Sequence, residues 1–198
     1  MDLSKTALLT VDLQNDFLHP EGAYGRAGQT AAEIAALPAR LKPLVELLKA
    51  KGGWFVSTQF TLVPVRGEPM IAPHLKKIRP FLRAGDFAPG SWGNRLVDEL
   101  GPADVTVEKI AYSAFYQTRM EWTLRKLGIE HLLVAGIVTN GGVATTFRAA
   151  HVREFDAILL EDGCAAFSQK THDEAVQALR PVGRVASIAE MTAEIEAL

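Results

Sequence analysis

The sequence predicts an α/β fold in three layers, a doubly wound sheet of about six mostly parallel strands with helices on both faces, forming a single domain over residues 1–198. Three observations carry this. Short apolar runs recur along the chain and are continuous rather than alternating, which suits strands buried on both faces. Segments of helical period separate them, in the βα cadence of a parallel sheet. A chain of 198 residues, 48% hydrophobic and 22% charged, also fits one compact domain with a sizeable core.

In order, the expected strands are "ALLTVD" (Ala7 to Asp12), "WFVST" (Trp54 to Thr58), "DVTVEK" (Asp104 to Lys109), "HLLVAG" (His131 to Gly136), "DAILLED" (Asp156 to Asp162) and "RVASI" (Arg184 to Ile188). Helices are expected near Ala31 to Lys51, Gly93 to Leu100, Tyr116 to Lys126, Gly141 to Arg153 and Thr171 to Leu179. Pro38 and Pro43 should break or kink the first of these, because proline lacks an N–H and its ring crowds the preceding turn. The connection from Gln59 to Trp92 carries Pro64, Pro69, Pro73, Pro80 and Pro89. A loop that long inside a compact domain is usually functional, so it is expected to form a lid or a substrate wall.

Composition narrows the partners. A formal charge of −2 with scattered positive residues gives no basic field for nucleic acid or an anionic membrane. Small molecules are the expected partners. The single cysteine, Cys164, excludes an internal disulfide framework, and no N-terminal stretch has the form of a signal peptide. The apolar runs are too short to span a bilayer, so the expected location is cytoplasmic.

The chemistry belongs where the strands ending at Asp12, Lys109 and Gly136 come together, since a parallel sheet gathers carboxyl ends at one edge. "TVDLQNDF" delivers Asp12 there, followed by Gln14, Asp16 and Phe17. Asp12 either caps its loop or serves a reaction. "VTVEKIAYSAF" brings Lys109, which is either an exposed cation or a buried one that needs a partner. An Asp12–Lys109 pair satisfies both groups. In "GIVTNGGVATT" a helix start presents backbone N–H groups, and glycine admits a ligand close to the main chain. Thr139, Asn140, Gly141, Gly142 and Val143 thus form either an oxyanion or carboxylate cradle, or an ordinary capped turn.

Taken together, "LLTVDLQNDF", "APGSWGNRLVDEL", "VEKIAYSAFYQT", "GIVTNGGVATTFRAA" and "LLEDGCAAFSQKTHDEAV" resemble, in order and spacing, the isochorismatase-like hydrolases, also called cysteine hydrolases. The resemblance covers nearly the whole chain and implies their Rossmann-like fold. It implies an Asp–Lys–Cys triad for amide cleavage, with Asp12 and Lys109 as the first two members. At the cysteine's position stands Gly142, which has no atom to attack a carbonyl. The isochorismatases proper also carry glycine there and hydrolyse a vinyl ether without a covalent intermediate, with the aspartate as general acid. Similarity to them implies that Gln59, in "VSTQF", contacts substrate and that Arg66 is the nearest candidate for an arginine that holds a carboxylate. Their histidine in the turn is replaced here by "TN", so simple identity with isochorismatase is not expected. The resemblance also implies a non-proline cis peptide, placed at Val138–Thr139, and a homo-oligomer, dimer or tetramer.

The nicotinamidases of this family hold a metal through an aspartate and histidines after the second strand. Here that region offers "TQFTLVPVRGEP" and only His74 much later, and the five histidines show no paired ligand spacing, so no metal and no cofactor is expected. Cys164 is either a relocated nucleophile or a small buried hydrophobe. Trp92, Tyr112, Phe115 and Tyr116 either wall the pocket or simply pack. Two functions follow. The first is a small-molecule hydrolase acting without a thiol on a carboxylate-bearing substrate that is a vinyl ether, a lactone or ester, or an amide. The second is an inactive relative that binds a small carboxylate or a protein. A lysine beside Asp12 suits a base that activates water, whereas a desolvated, protonated Asp12 suits an acid, and sequence leaves both open.

Overall fold

The computed structural model describes residues 1–198. Its strands are β1 (Thr6–Val11), β2 (Trp54–Phe60), the two-residue β3 (Pro64–Val65) and β4 (Glu68–Pro69), β5 (Val105–Lys109), β6 (His131–Ile137), β7 (Asp156–Ala165) and β8 (Arg184–Ala186). Six of them form one sheet in the order β5-β2-β1-β6-β7-β8, and every neighbouring pair is parallel. β3 and β4 make a separate antiparallel hairpin within the long connection. The helices are α1 (Asn15–Leu18), α2 (Ala23–Arg26), α3 (Ala32–Ala50), α4 (Pro73–Ile78), α5 (Met120–Lys126), α6 (Ala144–Val152), α7 (Gln169–Leu179) and α8 (Ile188–Glu196).

The alternation of side chains along each strand divides the core into two layers. Leu9, Val11, Val56 and Val134 face α5, α6 and α7, together with Met120, Phe147 and Leu179. Leu8, Phe55, Leu133 and Ile158 face α3 and α8, together with Leu41, Leu48 and Met191. All six residues of β1 are buried, as befits a central strand covered on both sides. No helix is long and apolar enough to cross a membrane.

The six expected strands are all present, and the differences lie mainly in the helices. α3 runs unbroken through Pro38 and Pro43. It buries Ile34, Leu37, Pro38, Leu41, Leu44, Val45 and Leu48 against the sheet, and this packing outweighs the roughly 3 kcal/mol or more that an interior proline costs. The helix expected over Gly93 to Leu100 does not form, because its backbone is used elsewhere. Asn15 N–H donates to Arg95 O, Asp16 N–H to Gly93 O and Val97 N–H to Leu13 O, all at 2.9–3.0 Å. α8 had no counterpart among the expected helices; it starts on a capping box between Ser187 and Glu190 and buries Met191 and Ile195. β7 is longer than expected, since an irregularity between its pairings Leu159–Val134 and Cys164–Gly136 lets the strand resume after Asp162.

Candidate active site

β1 ends at Val11 and puts Asp12 at the carboxyl edge of the sheet in a left-handed conformation, φ 58°. Aspartate tolerates this region better than most residues, and such backbone is held only where its surroundings impose it. Thr58 on β2 supplies part of that hold. Its hydroxyl accepts from Asp12 N–H at 3.1 Å and donates to Asp12 Oδ1 at 2.7 Å.

Lys109 ends β5, two strands away from β1. Its side chain crosses over β2, about 10 Å at ordinary strand spacing, and its Nζ lies 2.6 Å from Asp12 Oδ2. The ammonium also donates to Ala111 O at 2.9 Å and sits 5.3 Å from the centroid of the Phe60 ring. Lys109 is 1% exposed and Asp12 5%. The pair is therefore a buried ion pair with additional hydrogen bonds on each partner, the only form in which such a pair is tolerable.

β6 delivers the third component. The chain passes from Ile137 through a cis peptide to Val138 and then makes a wide helical turn, Thr139–Val143, that leads into α6. The cis bond is Ile137–Val138, one residue before the expected Val138–Thr139, because the chain leaves the sheet directly after Ile137. A Cβ placed on Gly142 would lie 3.0 Å from Ile137 O, 3.1 Å from Val11 Cγ1 and 3.5 Å from Asp12 Oδ2. Gly142 thus opens the main chain directly towards the carboxylate. The N–H groups of Gly141 and Val143 are both directed at Val138 O, at 2.9 and 3.3 Å. Thr139 is fully buried, with its hydroxyl 2.8 Å from His172 Nδ1 on α7, while Asn140 is exposed. Gly136, just before the turn, has φ 114°, and a Cβ there would strike Val11 O at 2.2 Å, so only glycine allows β6 to approach β1 this closely.

The loop after Asp12 fastens the end of the long connection. Asp16 accepts from Ala23 N–H at 3.0 Å and Phe87 N–H at 2.6 Å, and Asn15 donates to Trp92 O at 2.9 Å. Burial pushes the Asp16 carboxyl above its ordinary range, against the opposing pull of the Phe87 and Ala23 amides. Phe17 packs in an aromatic group with Tyr24 and Phe87, at centroid distances of 4.8 and 4.6 Å.

The remaining expected substrate contacts separate. Tyr112 lies beside the turn, with Cε1 3.7 Å from the Cβ position of Gly141. Trp92 is part-exposed with its ring edge-on to His19. Phe115 is not brought to the cluster: it is buried in the core, 5.9 Å from Phe155 and under the Arg153 guanidinium, because its apolar ring fills the layer behind α5. Tyr116 is exposed. Alternation along β2 places Gln59 on the opposite face from Thr58, away from Asp12. Arg66 is in the exposed turn of the β3–β4 hairpin. Cys164 is 3% exposed with its thiol 3.8 Å from Val134 O, and burial pushes that thiol far above its ordinary range. It borders a cavity of about 520 Å³ with Glu33, Arg40, His172 and Arg180, which neither Asp12 nor Lys109 lines. Burial and that position on the far side of the turn keep the thiol apart from Asp12 and Lys109.

Thr58, Arg79 and His172 escaped sequence reasoning. Thr58 precedes Gln59 in the "TQ" pair, so its position at the strand end was a usable signal. Nothing local marks Arg79 or His172. Arg79 follows α4, and its Nε donates to the Tyr24 hydroxyl at 2.8 Å.

Comparison with known proteins agrees with this architecture. The isochorismatase domain model matches residues 6–190. A ureidoacrylate amidohydrolase of Pantoea ananatis is 33% identical over 171 residues, 80% of this chain and 68% of that protein. Among solved structures, a cysteine hydrolase from Pseudomonas syringae superposes with a TM-score of 0.85 at 24% identity, over 100% of this chain and 95% of that one. A nicotinamidase from Bacillus subtilis superposes with a TM-score of 0.75 at 25% identity, over 92% of this chain and 99% of that one. With the domain model spanning nearly its whole length and the α/β sheet of its relatives, the chain belongs to the isochorismatase family and is a hydrolase.

Proposed function

We propose that this hydrolase works without a thiol, using Asp12 as general base to activate water against an amide or ureido carbonyl in a small carboxylate-bearing substrate. The observation that carries the reading is the placement of Gly142. The space a side chain would fill there lies in front of Asp12 Oδ2, so a substrate carbonyl can approach the carboxylate where a nucleophile would otherwise stand.

The hydrogen bonds around Asp12 favour base over acid. Both of its oxygens accept, Oδ1 from Thr58 and Oδ2 from Lys109, which is the environment of an acceptor. Asp12 takes a proton from water as the oxygen attacks the carbonyl carbon. The tetrahedral oxyanion is met by Lys109, whose ammonium has three protons and two partners in the resting site, since the Gly141 and Val143 amides of the turn are already directed at Val138 O. Asp12 then returns the proton to the leaving nitrogen as the C–N bond breaks. The ureidoacrylate amidohydrolase relative lends weight to the amide over the vinyl ether or lactone, and to a substrate with a carboxylate. A cytoplasmic homo-oligomer completes the reading; light scattering measures its size.

The test is turnover of a panel of amides, ureido acids, esters, lactones and vinyl ethers by the wild-type protein and by Asp12→Asn. Hydrolysis of a ureido or amide acid that depends on Asp12 and survives thiol alkylation supports the proposal. A folded protein that binds these acids but hydrolyses none of the panel would instead be the binding module.

A further inference from the structure

Every other arginine that hydrogen-bonds to a side chain does so to a carboxylate: Arg26 to Asp86, Arg40 to Glu33, Arg153 to Glu121, Arg180 to Glu161 and Arg184 to Glu194. Arg79 is the exception. Half-buried, it meets two phenols, donating from Nε to the Tyr24 hydroxyl at 2.8 Å and from Nη2 to that of Tyr112 at 3.5 Å. A guanidinium withdrawn from water without an anionic partner is costly, and its planar fork matches a carboxylate with two parallel hydrogen bonds.

The two tyrosines locate this cation. Tyr112 touches the turn beside Gly141. Tyr24 is 6% exposed and fixed, stacked on Phe167 at 5.7 Å and edge-on to Phe81 at 5.1 Å. Burial raises the Tyr24 phenol despite the opposing effect of Arg79, so it stays protonated and supplies no counter-charge. Tyr112, which accepts from Arg79 and touches the turn beside Gly141, is the geometric link between this cation and the Asp12 site.

We infer that Arg79 is the anion anchor of the site, binding the carboxylate of the substrate between Tyr24 and Tyr112 while the scissile carbonyl faces Asp12. This rests on the hydrolase reading above and names the residue that recognises its substrate class. The charge balance selects a monoanion. Asp12 and Lys109 neutralise one another at 2.6 Å, leaving one uncompensated positive charge on Arg79. A dianion such as phosphate would bring a second negative charge close to Asp12 without a second cation. Arg66, on an exposed hairpin turn, has no comparable setting.

The test measures binding, so it does not depend on turnover. Crotonate and its neutral counterpart crotonamide are titrated calorimetrically into wild-type protein, Arg79→Gln, Arg79→Lys and Arg66→Gln, with folding checked by circular dichroism. Wild type should bind crotonate about tenfold or more tighter than crotonamide, as expected for a charge-assisted pair. Arg79→Gln should bring the two to parity. Arg79→Lys, which keeps the charge but loses the fork, should retain only part of the preference and serves as the reading if the glutamine variant fails to fold. The inference is overturned if wild type shows no preference, if the preference survives unchanged in the Arg79 variants, or if Arg66→Gln alone removes it. Asp12-dependent hydrolysis with a preference indifferent to Arg79 sinks this inference alone; an Arg79-dependent preference with no hydrolysis sinks the catalytic proposal alone.

Discussion

The strand-borne half of the site and its loop-borne half are held by different forces. Asp12, Thr58 and Lys109 come from the ends of three adjacent strands, β1, β2 and β5, whose pairing fixes their separation before any side chain interacts. Arg79, Tyr24 and Phe87 come from the loops and the short helix α2 outside the sheet, and their positions depend on side-chain contacts: the Asp16 carboxylate on two backbone amides, an aromatic group, and one arginine between two phenols. The contrast teaches a division of labour. On the proposed mechanism the reacting groups stand on the part of the molecule that cannot shift without breaking the sheet, and recognition on the part that other sequences can rebuild.

The largest expected effect tests the strand half. Asp12→Asn keeps the shape of the side chain but removes the base, so kcat should fall by about 10²–10⁴-fold with crotonate binding largely intact. Melting temperature is measured beside it, because Lys109 loses its partner and stranding one member of a buried pair costs about 3–5 kcal/mol. A variant that loses binding but keeps kcat would erase the division between the two halves.

Next comes Gly142→Cys. The added Cβ is in tight contact with Ile137 O and Val11, so neighbours must yield slightly, and overpacking of this kind costs about 1–3 kcal/mol. Native turnover should fall because the new side chain enters the space before Asp12, and any thiol-dependent amidase activity that emerges should vanish on alkylation. Undiminished turnover of the native substrate would mean that the substrate does not come close to this turn.

A smaller effect probes the loop half through pH. Burial raises the Asp16 carboxyl above its unfolded value, so its contribution to stability is full below the unfolded pKa and declines as pH rises through the folded one. Asp16→Asn should flatten that part of the melting temperature against pH. It should also lower stability at every pH, since the amide cannot accept from both Ala23 and Phe87. An unchanged pH slope would show that Asp16 is not the group responsible. The smallest effect is Cys164→Ser, which should leave turnover nearly intact and cost about 1 kcal/mol of stability. A folded but inactive serine variant would restore Cys164 as a nucleophile and overturn the thiol-free mechanism.

The two halves also differed in what the sequence disclosed. Strands buried on both faces announce themselves as continuous apolar runs, and a residue at the end of such a run sits at the sheet edge whatever its partners are, which is why Asp12, Lys109 and the turn at Gly142 were legible. α3 departs from expectation at its prolines because tertiary packing overrides a local rule. The stretch Gly93 to Leu100 departs from expectation because its amide and carbonyl partners lie some 80 residues earlier, near Leu13 to Asp16, where no window of helical period can register them. Arg79 was invisible for a related reason. Its significance lies in the absence of a carboxylate around it, a property of the folded neighbourhood, whereas Arg66 follows from the family resemblance as the arginine nearest the expected position.

Gln14 shows how far the two halves are joined. Its side-chain Oε1 accepts from Phe60 N–H at 2.7 Å, and its Nε2 donates to Phe60 O at 3.0 Å and to Asn94 O at 2.8 Å. The carboxamide thus behaves as a detached peptide unit, adding to β2 a rung whose covalent origin is the loop after β1. A strand closed in this way cannot fray from its tip by itself. The Phe60 amide becomes open to solvent exchange only when the loop bearing Gln14 lifts as well, so the end of β2 and the loop that follows Asp12 open as one cooperative unit.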